Sequence, residues 1–225
     1  MYKYETHLHT YPVSKCAKAI VKETLQFYKQ KGYDGVFITN HFLDGYINID
    51  PGVSYEEKIN FYFSDYEEAK RIEKETGIKV FLGVEMTYDG ADFLIYGLGK
   101  DWYLNHPEIM TMKRSEELKF LMANGAFIVH AHPFRNPPFV DHIHLFPDCV
   151  HGVEVINGCR SDFENSMANT YAEAYRLIKT AGSDNHTAGD MKHLAGMCSH
   201  SPIVDEADFI NKLKNGEMEI FEEII

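Results

Sequence analysis

Five short segments of the sequence place histidine or acidic residues at, or just beyond, the end of an apolar run. They supply a pair of histidines near the start, three single positions in the middle and an acid–histidine pair late in the chain: His7, His9, His41, Glu85, His132, Asp184 and His186. Side chains two residues apart on a strand point to the same face, so His7 with His9, and Asp184 with His186, each form a pair of donors. Ligands arriving from the C-terminal ends of successive strands are typical of a barrel-type hydrolase, so the pattern predicts a metal site.

The elements that must position these residues alternate between strand and helix. Apolar runs predict strands at 2–8, 34–39, 79–85, 91–98, 126–130 and 152–156 and a short last strand, and helices at 18–31, 54–76 with a break near 63–64, 113–123, 162–178 and 206–214. Ser54 with Glu57, and Ser64 with Glu67, fit capping boxes for the two halves of the second helix. We therefore expect one α/β domain over residues 1–225, since the chain shows no linker, repeat or low-complexity stretch. About seven strands are too few for an eight-stranded barrel and fit a smaller, distorted one.

Composition excludes several classes of function. The formal net charge of −12 argues against a nucleic-acid-binding surface, which needs Lys and Arg to neutralise phosphates. It leaves a small phosphorylated substrate open, because bound divalent cations reverse the local charge of a site. No stretch is long and apolar enough to span a bilayer and the start has no secretory apolar region, so we expect no membrane partner and a cytoplasmic protein. The four cysteines show no C-x-x-C spacing, so in a reducing compartment they are free thiols or metal ligands.

The motifs and their order resemble those of the polymerase-and-histidinol-phosphatase (PHP) superfamily. The segments that carry the resemblance are Glu5-Thr6-His7-Leu8-His9-Thr10, Ile38-Thr39-Asn40-His41, Gly83-Val84-Glu85, Ala131-His132-Pro133 and Gly182-Ser183-Asp184-Asn185-His186. Residues 182–225 are also similar to the PHP-associated C-terminal region of some members. The resemblance is specific for the superfamily and leaves the substrate open.

This resemblance implies a distorted (β/α)7 TIM-like barrel with a trinuclear metal centre that hydrolyses phosphate esters. It assigns the first metal to His7, His9, Glu85 and Asp184. The second metal shares Glu85 and takes His132, and the third takes His41 and His186. Family members usually have Asp where Asn40 stands, so a carboxylate partner for His41 is missing. The third metal usually takes a His or acidic ligand shortly after the first motif, where Cys16 is the only good donor, although free Cys is commonly a small buried apolar residue. The third ligand of the second metal is expected after 153–157, where Cys159 and Asp162 compete.

Metal chemistry suggests the mechanism. A metal-bound hydroxide would attack phosphorus in line, while two cations clamp the attacking and leaving oxygens. Glu85 is the natural bridging carboxylate, and Glu85, Asp184 and His132 are the predicted catalytic residues. A mixed imidazole and carboxylate set predicts two or three divalent transition metals, with Zn, Fe or Mn favoured over Mg alone.

Three further residues are predicted to contact the substrate. Arg135 follows His132 in a loop at the proposed mouth, and Arg160 lies in another mouth loop. A guanidinium offers a forked pair of donors to phosphate, although both arginines also fit solvated loop positions. His130 shares a predicted strand face with His132, so it would reach the site.

The sequence therefore predicts metal-dependent hydrolysis of a phosphate ester of a small phosphorylated metabolite or nucleotide. Hydrolysis of a C–N bond is an alternative, because amidohydrolase barrels also use H-x-H and a late Asp. Those barrels usually have a bridging Lys, and none stands at a motif position here. A non-catalytic metal-binding regulatory module is a further alternative, against which the full set of ligands argues.

Overall fold

The computed structural model describes residues 1–138 and 140–224 and shows a mixed α/β fold. The strands are β1 (Tyr2–Leu8), β2 (Gly35–Ile38), β3 (Lys79–Tyr88), β4 (Ala91–Tyr96), β5 (Phe127–Ala131), β6 (Gly152–Asn157), β7 (Ile178–Gly182), β8 (His193–Ser199) and β9 (Met218–Ile224). The helices are α1 (Val21–Gln30), α2 (Tyr55–Tyr62), α3 (Ser64–Thr76), α4 (Lys100–Asn105), α5 (Arg114–Ala123), α6 (Asp162–Tyr175) and α7 (Glu206–Asn215), with short 3-10 turns at Pro107–Thr111 and Pro147–Cys149.

All of these strands belong to one curved sheet that nearly closes on itself. The order is β7-β6-β5-β4-β3-β2-β1-β8-β9. Leu8 at the end of β1 pairs in parallel with Asn185, just beyond β7, and the His9 amide donates to the Asn185 carbonyl at 2.9 Å. The predicted distorted barrel is therefore confirmed, with nine strands among the described residues instead of about seven.

The extra strands come from two antiparallel additions. β4 folds back on β3 through the turn at Asp89 and Gly90, and it then pairs antiparallel with β5. β8 runs antiparallel to β1 and carries β9 on its outer edge. The parallel strands β1, β2, β3, β5, β6 and β7 bring their C-terminal ends to one rim of the barrel. Because β4 runs the other way, its beginning lies at that same rim.

Two details of the predicted helices differ from the structure. The Ser54 box is present, with the Ser54 side chain accepting from the Glu57 amide, but Ser64 donates to the Phe61 carbonyl and does not cap α3. The helix predicted to reach residue 178 ends at Tyr175, because Arg176 takes a left-handed φ of 56°. The chain is then free to begin β7 at Ile178.

The core is rich in aromatic side chains. Tyr62 of α2 and Phe63, which follows it, are buried against Phe42 and Tyr103. Rings packed in this way bury large apolar areas and hold the helices against the sheet. Among the described residues, no helix is long and apolar enough to cross a membrane.

Candidate metal centre

The predicted ligands converge inside the rim of the barrel. His7 lies near the end of β1 and His9 just beyond it, and Glu85 belongs to β3. His132 directly follows β5, and Asp184 is the second residue after β7. All five are at most 5% exposed. The strand ends therefore bring residues that are distant in sequence to one buried cluster.

Glu85 lies at the middle of this cluster. Its Oε1 is 3.1 Å from His7 Nε2 and 3.5 Å from His132 Nε2. Its Oε2 is 2.7 Å from His41 Nδ1 and 3.4 Å from His9 Nε2. One carboxylate thus faces four imidazoles, two on each oxygen, which is the arrangement that a bridging ligand requires.

Asp184 approaches the same imidazoles from the β7 side. Its Oδ1 lies 3.3 Å from His9 Nε2 and 3.5 Å from His7 Nε2, and its Oδ2 lies 3.7 Å from His132 Nε2. His132 and Asp184 both have positive φ angles, 27° and 54°. Such strained backbone positions cluster at functional sites, where the surroundings hold them in place.

The donor atoms are spaced as metal ligands are. In three overlapping groups the donor atoms all lie within 4.8 Å of one another. These groups are His7, His9 and Asp184; His7, Glu85 and His132; and His9, His41 and His186. A tetrahedral cation with bonds of about 2.1 Å separates its ligands by roughly 3.4 Å. In the first group the three separations are 3.3, 3.3 and 3.5 Å.

One pair of atoms gives independent support for a cation. His41 Nδ1 and Glu85 Oε2 are buried and 2.7 Å apart, yet neither atom has a partner with hydrogen-bond geometry among the described residues. Buried polar atoms without such a partner are rare and need an explanation. A divalent cation between the donors supplies one, so the residues fit the metals that the sequence predicts.

A layer of partners behind the ligands fixes two of the rings. Glu154 Oε1 lies 2.9 Å from His7 Nδ1, and Ser14 Oγ lies 3.2 Å from His9 Nδ1. When each Nδ1–H donates outward, the Nε2 lone pair faces the centre, which is the usual way that metal-binding histidines are held. Ser14 in turn donates to Asn40 Oδ1 at 2.8 Å.

Two arginines stand over the cluster in a cavity of about 500 Å³. Arg135 Nη2 is 3.0 Å from Asp92 Oδ2, and Arg160 Nη2 is 3.9 Å from Asp184 Oδ2. Both arginines line the cavity, together with Cys16, His41, Asp44, Gly45, Tyr46, Glu85, Thr87, Asp92, His132, Asp184 and His186. The cavity therefore has acidic and imidazole donors at its floor and cationic forks in its wall.

Solved structures share this fold at low sequence identity. A two-domain protein from Bacteroides vulgatus, described as containing a predicted PHP-like metal-dependent phosphoesterase, has a TM-score of 0.68 and 16% identity over 98% of this chain, which spans 64% of that protein. PsfC from Pseudomonas syringae has a TM-score of 0.60 and 16% identity, with 100% of this chain and 91% of PsfC covered. An amidohydrolase from Chromobacterium violaceum, solved with bound sulfate and no metal, has a TM-score of 0.54 and 12% identity, with 96% and 97% covered. At these identities the likeness shows the fold.

A family comparison adds the sequence evidence. No protein of curated function matches the chain. Residues 162–218, from α6 to the start of β9, match a family model described as PHP-associated. This match agrees with the resemblance of the motifs to the PHP superfamily.

Cys16 lies beside the third group of donors. It lines the cavity, and the imidazoles of His186 and His41 are the neighbours that act on its thiol. Burial raises the pKa of the thiol, but these two imidazoles outweigh burial and lower it to about 7. The thiol is therefore easily converted to the thiolate, the form that binds metals.

The other two proposed ligands of the second metal lie apart from the donor groups. Cys159 Sγ donates to the Asp184 carbonyl at 3.3 Å, and burial raises the pKa of the thiol to about 12. Asp162 is the exposed first residue of α6 and lines a different cavity, beside β6 and β9. Neither side chain lines the central cavity, whereas Asp92 does.

His130 also lies outside the central cavity. Its ring stacks on Phe93 at 4.9 Å and packs edge-on against Phe146 and Tyr171. Burial lowers the pKa of His130 to about 3, so the ring is neutral. Because β5 ends at Ala131 and His132 takes a positive φ, the alternation of faces that would carry His130 toward the site stops before His132.

Asn40 serves the loop after the first motif and makes no hydrogen bond to the His41 ring. Its Oδ1 accepts from the Thr10 amide at 2.7 Å, and its Nδ2 donates to Thr10 Oγ1 and to Asp65 Oδ2. Asp65, from α3, also accepts from the Thr10 hydroxyl at 2.7 Å. The amide and the buried carboxylate together hold the loop that carries Ser14 and Cys16.

The charges at the centre favour metal binding. Burial raises the pKa of Glu85, but His41, His7 and His9 outweigh it and hold that pKa well below its usual range. Burial likewise raises the pKa of Asp184, and His7 and His9 reverse the shift, so both carboxylates stay ionised. Burial lowers the pKa of His9, and the neighbouring His186 and His41 lower it further, so its ring is neutral and able to bind a cation.

Three residues that support the centre were not among the predicted site residues. Glu154, Ser14 and Asp92 are each at most 1% exposed. Glu154 carried a signal, because a carboxylate between Val153 and Val155 in a buried strand needs a partner. The partner of Glu154 is His7, and Gly182 leaves room for the two side chains to meet. A Cβ at Gly182 would lie 2.8 Å from Glu154 Oε1 and would also collide with His7. Asp92 carried the same signal, because it lies between Ala91 and Phe93 in a predicted strand, whereas Ser14 carried none.

Proposed function

We propose that this chain is a metal-dependent phosphoesterase that acts on a small phosphorylated metabolite or nucleotide. The observation that carries the proposal is Glu85, whose two oxygens face four imidazoles at the floor of a cavity walled by Arg135 and Arg160. Bridged cations bound there would lower the pKa of water and polarise the phosphoryl oxygens.

The chain's own residues divide the work of such a reaction. Glu85 and Asp184 stay ionised, so their negative charges would balance the charge of bound cations. Glu154 and Ser14 keep the rings of His7 and His9 turned toward the centre. Arg135 and Arg160 offer forked donors to the phosphoryl oxygens and orient the group over the cluster.

The cavity indicates the class of substrate. Its volume of about 500 Å³ suits a small ligand. The acidic surface, with a net charge of −12, disfavours a long nucleic acid, whereas the two arginines favour one compact anionic group. We therefore expect a phosphorylated metabolite or a single nucleotide.

Hydrolysis of a C–N bond is the second candidate, because the Chromobacterium violaceum protein of the same fold is described as an amidohydrolase. Among the described residues, no lysine lines the central cavity. The bridging position is instead filled by Glu85, and the cationic wall by arginines. These features favour a phosphate ester over an amide.

Metal analysis and a phosphatase assay on the same samples test the proposal. Protein reconstituted with Zn²⁺, Mn²⁺ or Fe²⁺ should bind at least two metals per chain and hydrolyse an aryl phosphate and members of a phosphorylated-metabolite panel. Glu85→Gln should lose metal and activity together, because an amide cannot bridge two cations. The matched control is Glu73→Gln, which changes a carboxylate that pairs with Lys70 and Lys79 outside the cavity.

Each alternative has its own result. Activity on amides or ureas without activity on phosphate esters would favour the C–N hydrolase. Full metal content without turnover of any ester or amide would favour a non-catalytic module. Fewer than one metal per chain after reconstitution would contradict all three functions.

A further inference from the structure

A second group of metal-ligating side chains lies outside the central cavity, where the loop after Arg135 crosses the β3–β4 turn. His142 and His144 belong to the loop, and Asp89 belongs to the turn. None of the three lines the central cavity. We propose that these three side chains form a separate binding site for a divalent transition metal such as Zn²⁺, Ni²⁺ or Cu²⁺.

The donors converge on one point. His144 Nε2 lies 3.3 Å and His142 Nε2 lies 4.0 Å from the same oxygen, Asp89 Oδ2. The imidazole rings are 4.4 Å apart and steeply inclined to each other, at 67°. Ligands of a tetrahedral zinc are separated by roughly 3.4 Å, so His144 and Asp89 already have this spacing and His142 needs only a small rotation.

The loop is packed against the turn, and this packing holds the donors of the two segments close together. A Cβ at Gly90 would lie 2.8 Å from Val140 Cγ2, which means that Val140 fills the space over the turn. The rings of His144 and Phe146 lie 5.8 and 6.2 Å from the ring of Tyr88. These contacts hold the loop and the turn together before any cation binds, which lowers the entropic cost of closing the site.

The charge on Asp89 is available to a cation. In the part of the chain that the structure describes, its ion-pair partners are these two histidines, and neither Lys nor Arg is among them. A set of two imidazoles and one carboxylate suits Zn²⁺, Ni²⁺ and Cu²⁺, whereas Mg²⁺ and Ca²⁺ prefer oxygen ligands alone. Both histidines and Asp89 retain solvent access, so water completes the coordination.

A cation at this site would connect two segments that also meet at the central cavity. The loop begins after Arg135, and the turn leads into β4, which carries Asp92. Metal bound by Asp89, His142 and His144 would cross-link the loop to the hairpin outside the Arg135–Asp92 pair. The site is independent of the proposed phosphoesterase activity, since it uses none of the same ligands.

Titration of the metal-loaded protein tests this site. Holoprotein with its central sites filled and free metal removed is titrated with Zn²⁺ by calorimetry. Wild type should bind one further equivalent, and His142→Ala or His144→Ala should weaken that binding by at least about tenfold. The matched control is His200→Ala, because the His200 side chain is 82% exposed and 3.6 Å from Glu219, and no ring pair joins it to a second imidazole among the described residues.

Crystals grown with Zn²⁺ give the second measurement. An anomalous peak bonded to His142, His144 and Asp89 in wild type and His200→Ala, absent in His144→Ala, supports the site. Hydrogen exchange in residues 140–146 should slow when Zn²⁺ is added to wild type and should not change in His144→Ala. The proposal is overturned if wild type binds no further equivalent, or if His142→Ala and His144→Ala bind it as tightly as wild type.

Discussion

The replacement of Glu154 by Gln probes how the first metal position is assembled. Glu154 Oε1 faces His7 Nδ1 at 2.9 Å, while Oε2 accepts from the His132 amide at 3.1 Å and from Asn157 Nδ2 at 2.8 Å. A carboxylate can accept on both sides, but an amide has one acceptor and one donor. Glu154→Gln therefore cannot satisfy all three partners while His7 keeps its proton on Nδ1.

Both orientations of the Gln amide harm the site. If the oxygen keeps His7, the amino group points at two donors, and both lose their buried acceptor. If the amide is flipped, His7 must accept at Nδ1 and carry its proton on Nε2, the nitrogen that faces Glu85 and Asp184. Partners of this kind are typically worth 10–100-fold in metal affinity or activity, so we expect a loss of about 1.4 to 2.7 kcal/mol.

Competition with a chromogenic chelator measures the affinity, and phosphatase activity at saturating metal measures the consequence. The control is Glu117→Gln, because Glu117 is equally buried but pairs with Arg114, 2.7 Å away. Both variants should stay folded without metal, and only Glu154→Gln should lose metal affinity. Wild-type affinity and activity in a folded Glu154→Gln protein would refute the role given to Glu154.

Three further predictions concern the cavity and the pH dependence of folding. Arg135→Ala should lower kcat/KM and leave metal content unchanged, and Arg135→Lys should restore activity only in part, because it lacks the fork; an unchanged kcat/KM in the Ala variant would return Arg135 to a solvated loop. If Cys16 ligates the third metal, Cys16→Ala should weaken binding of the last metal equivalent while Cys149→Ala does not, and a crystal structure with every Cys16 sulfur more than about 4 Å from an occupied third site would contradict ligation. Burial raises the pKa of Glu117 to about 7 against the attraction of Arg114. The folded state therefore binds the Glu117 proton more tightly than the unfolded chain, and the stability gained from this proton is lost as pH rises from about 4.5 to about 7. Urea unfolding of Glu117→Gln should show a flatter pH dependence over that range.

The sequence was sufficient for the parts of the fold that depend on local patterns. Apolar runs that end in His, Glu or Asp identified the strand ends, and the capping box at Ser54 marked the start of α2. The end of α6 was predicted too late, because nothing in the residues 172–178 reveals that Arg176 takes a left-handed conformation. β8 was missed because it follows the last ligand motif and pairs with β1, more than 180 residues earlier in the chain.

The supporting residues show where local reasoning stops. The His130 side chain was expected to follow that of His132, and the backbone at His132 breaks the alternation on which this expectation depended. Ser14 gains its place from contacts with His9, His41 and Asn40, which come from two segments of the chain. Such a position is defined only when the strands are assembled.

Asp92 illustrates how the topology supplies what spacing cannot. In a barrel of parallel strands only C-terminal ends reach the catalytic rim, so an acid at the beginning of a strand would be assigned to the opposite end. β4 is antiparallel, and its second residue therefore arrives at the rim, 3.9 Å from His132 Nδ1 and 3.0 Å from Arg135 Nη2. A single buried carboxylate thus lies beside both a predicted metal ligand and a predicted phosphate-binding arginine. The inversion of one strand links two parts of the site that the sequence treats as separate motifs.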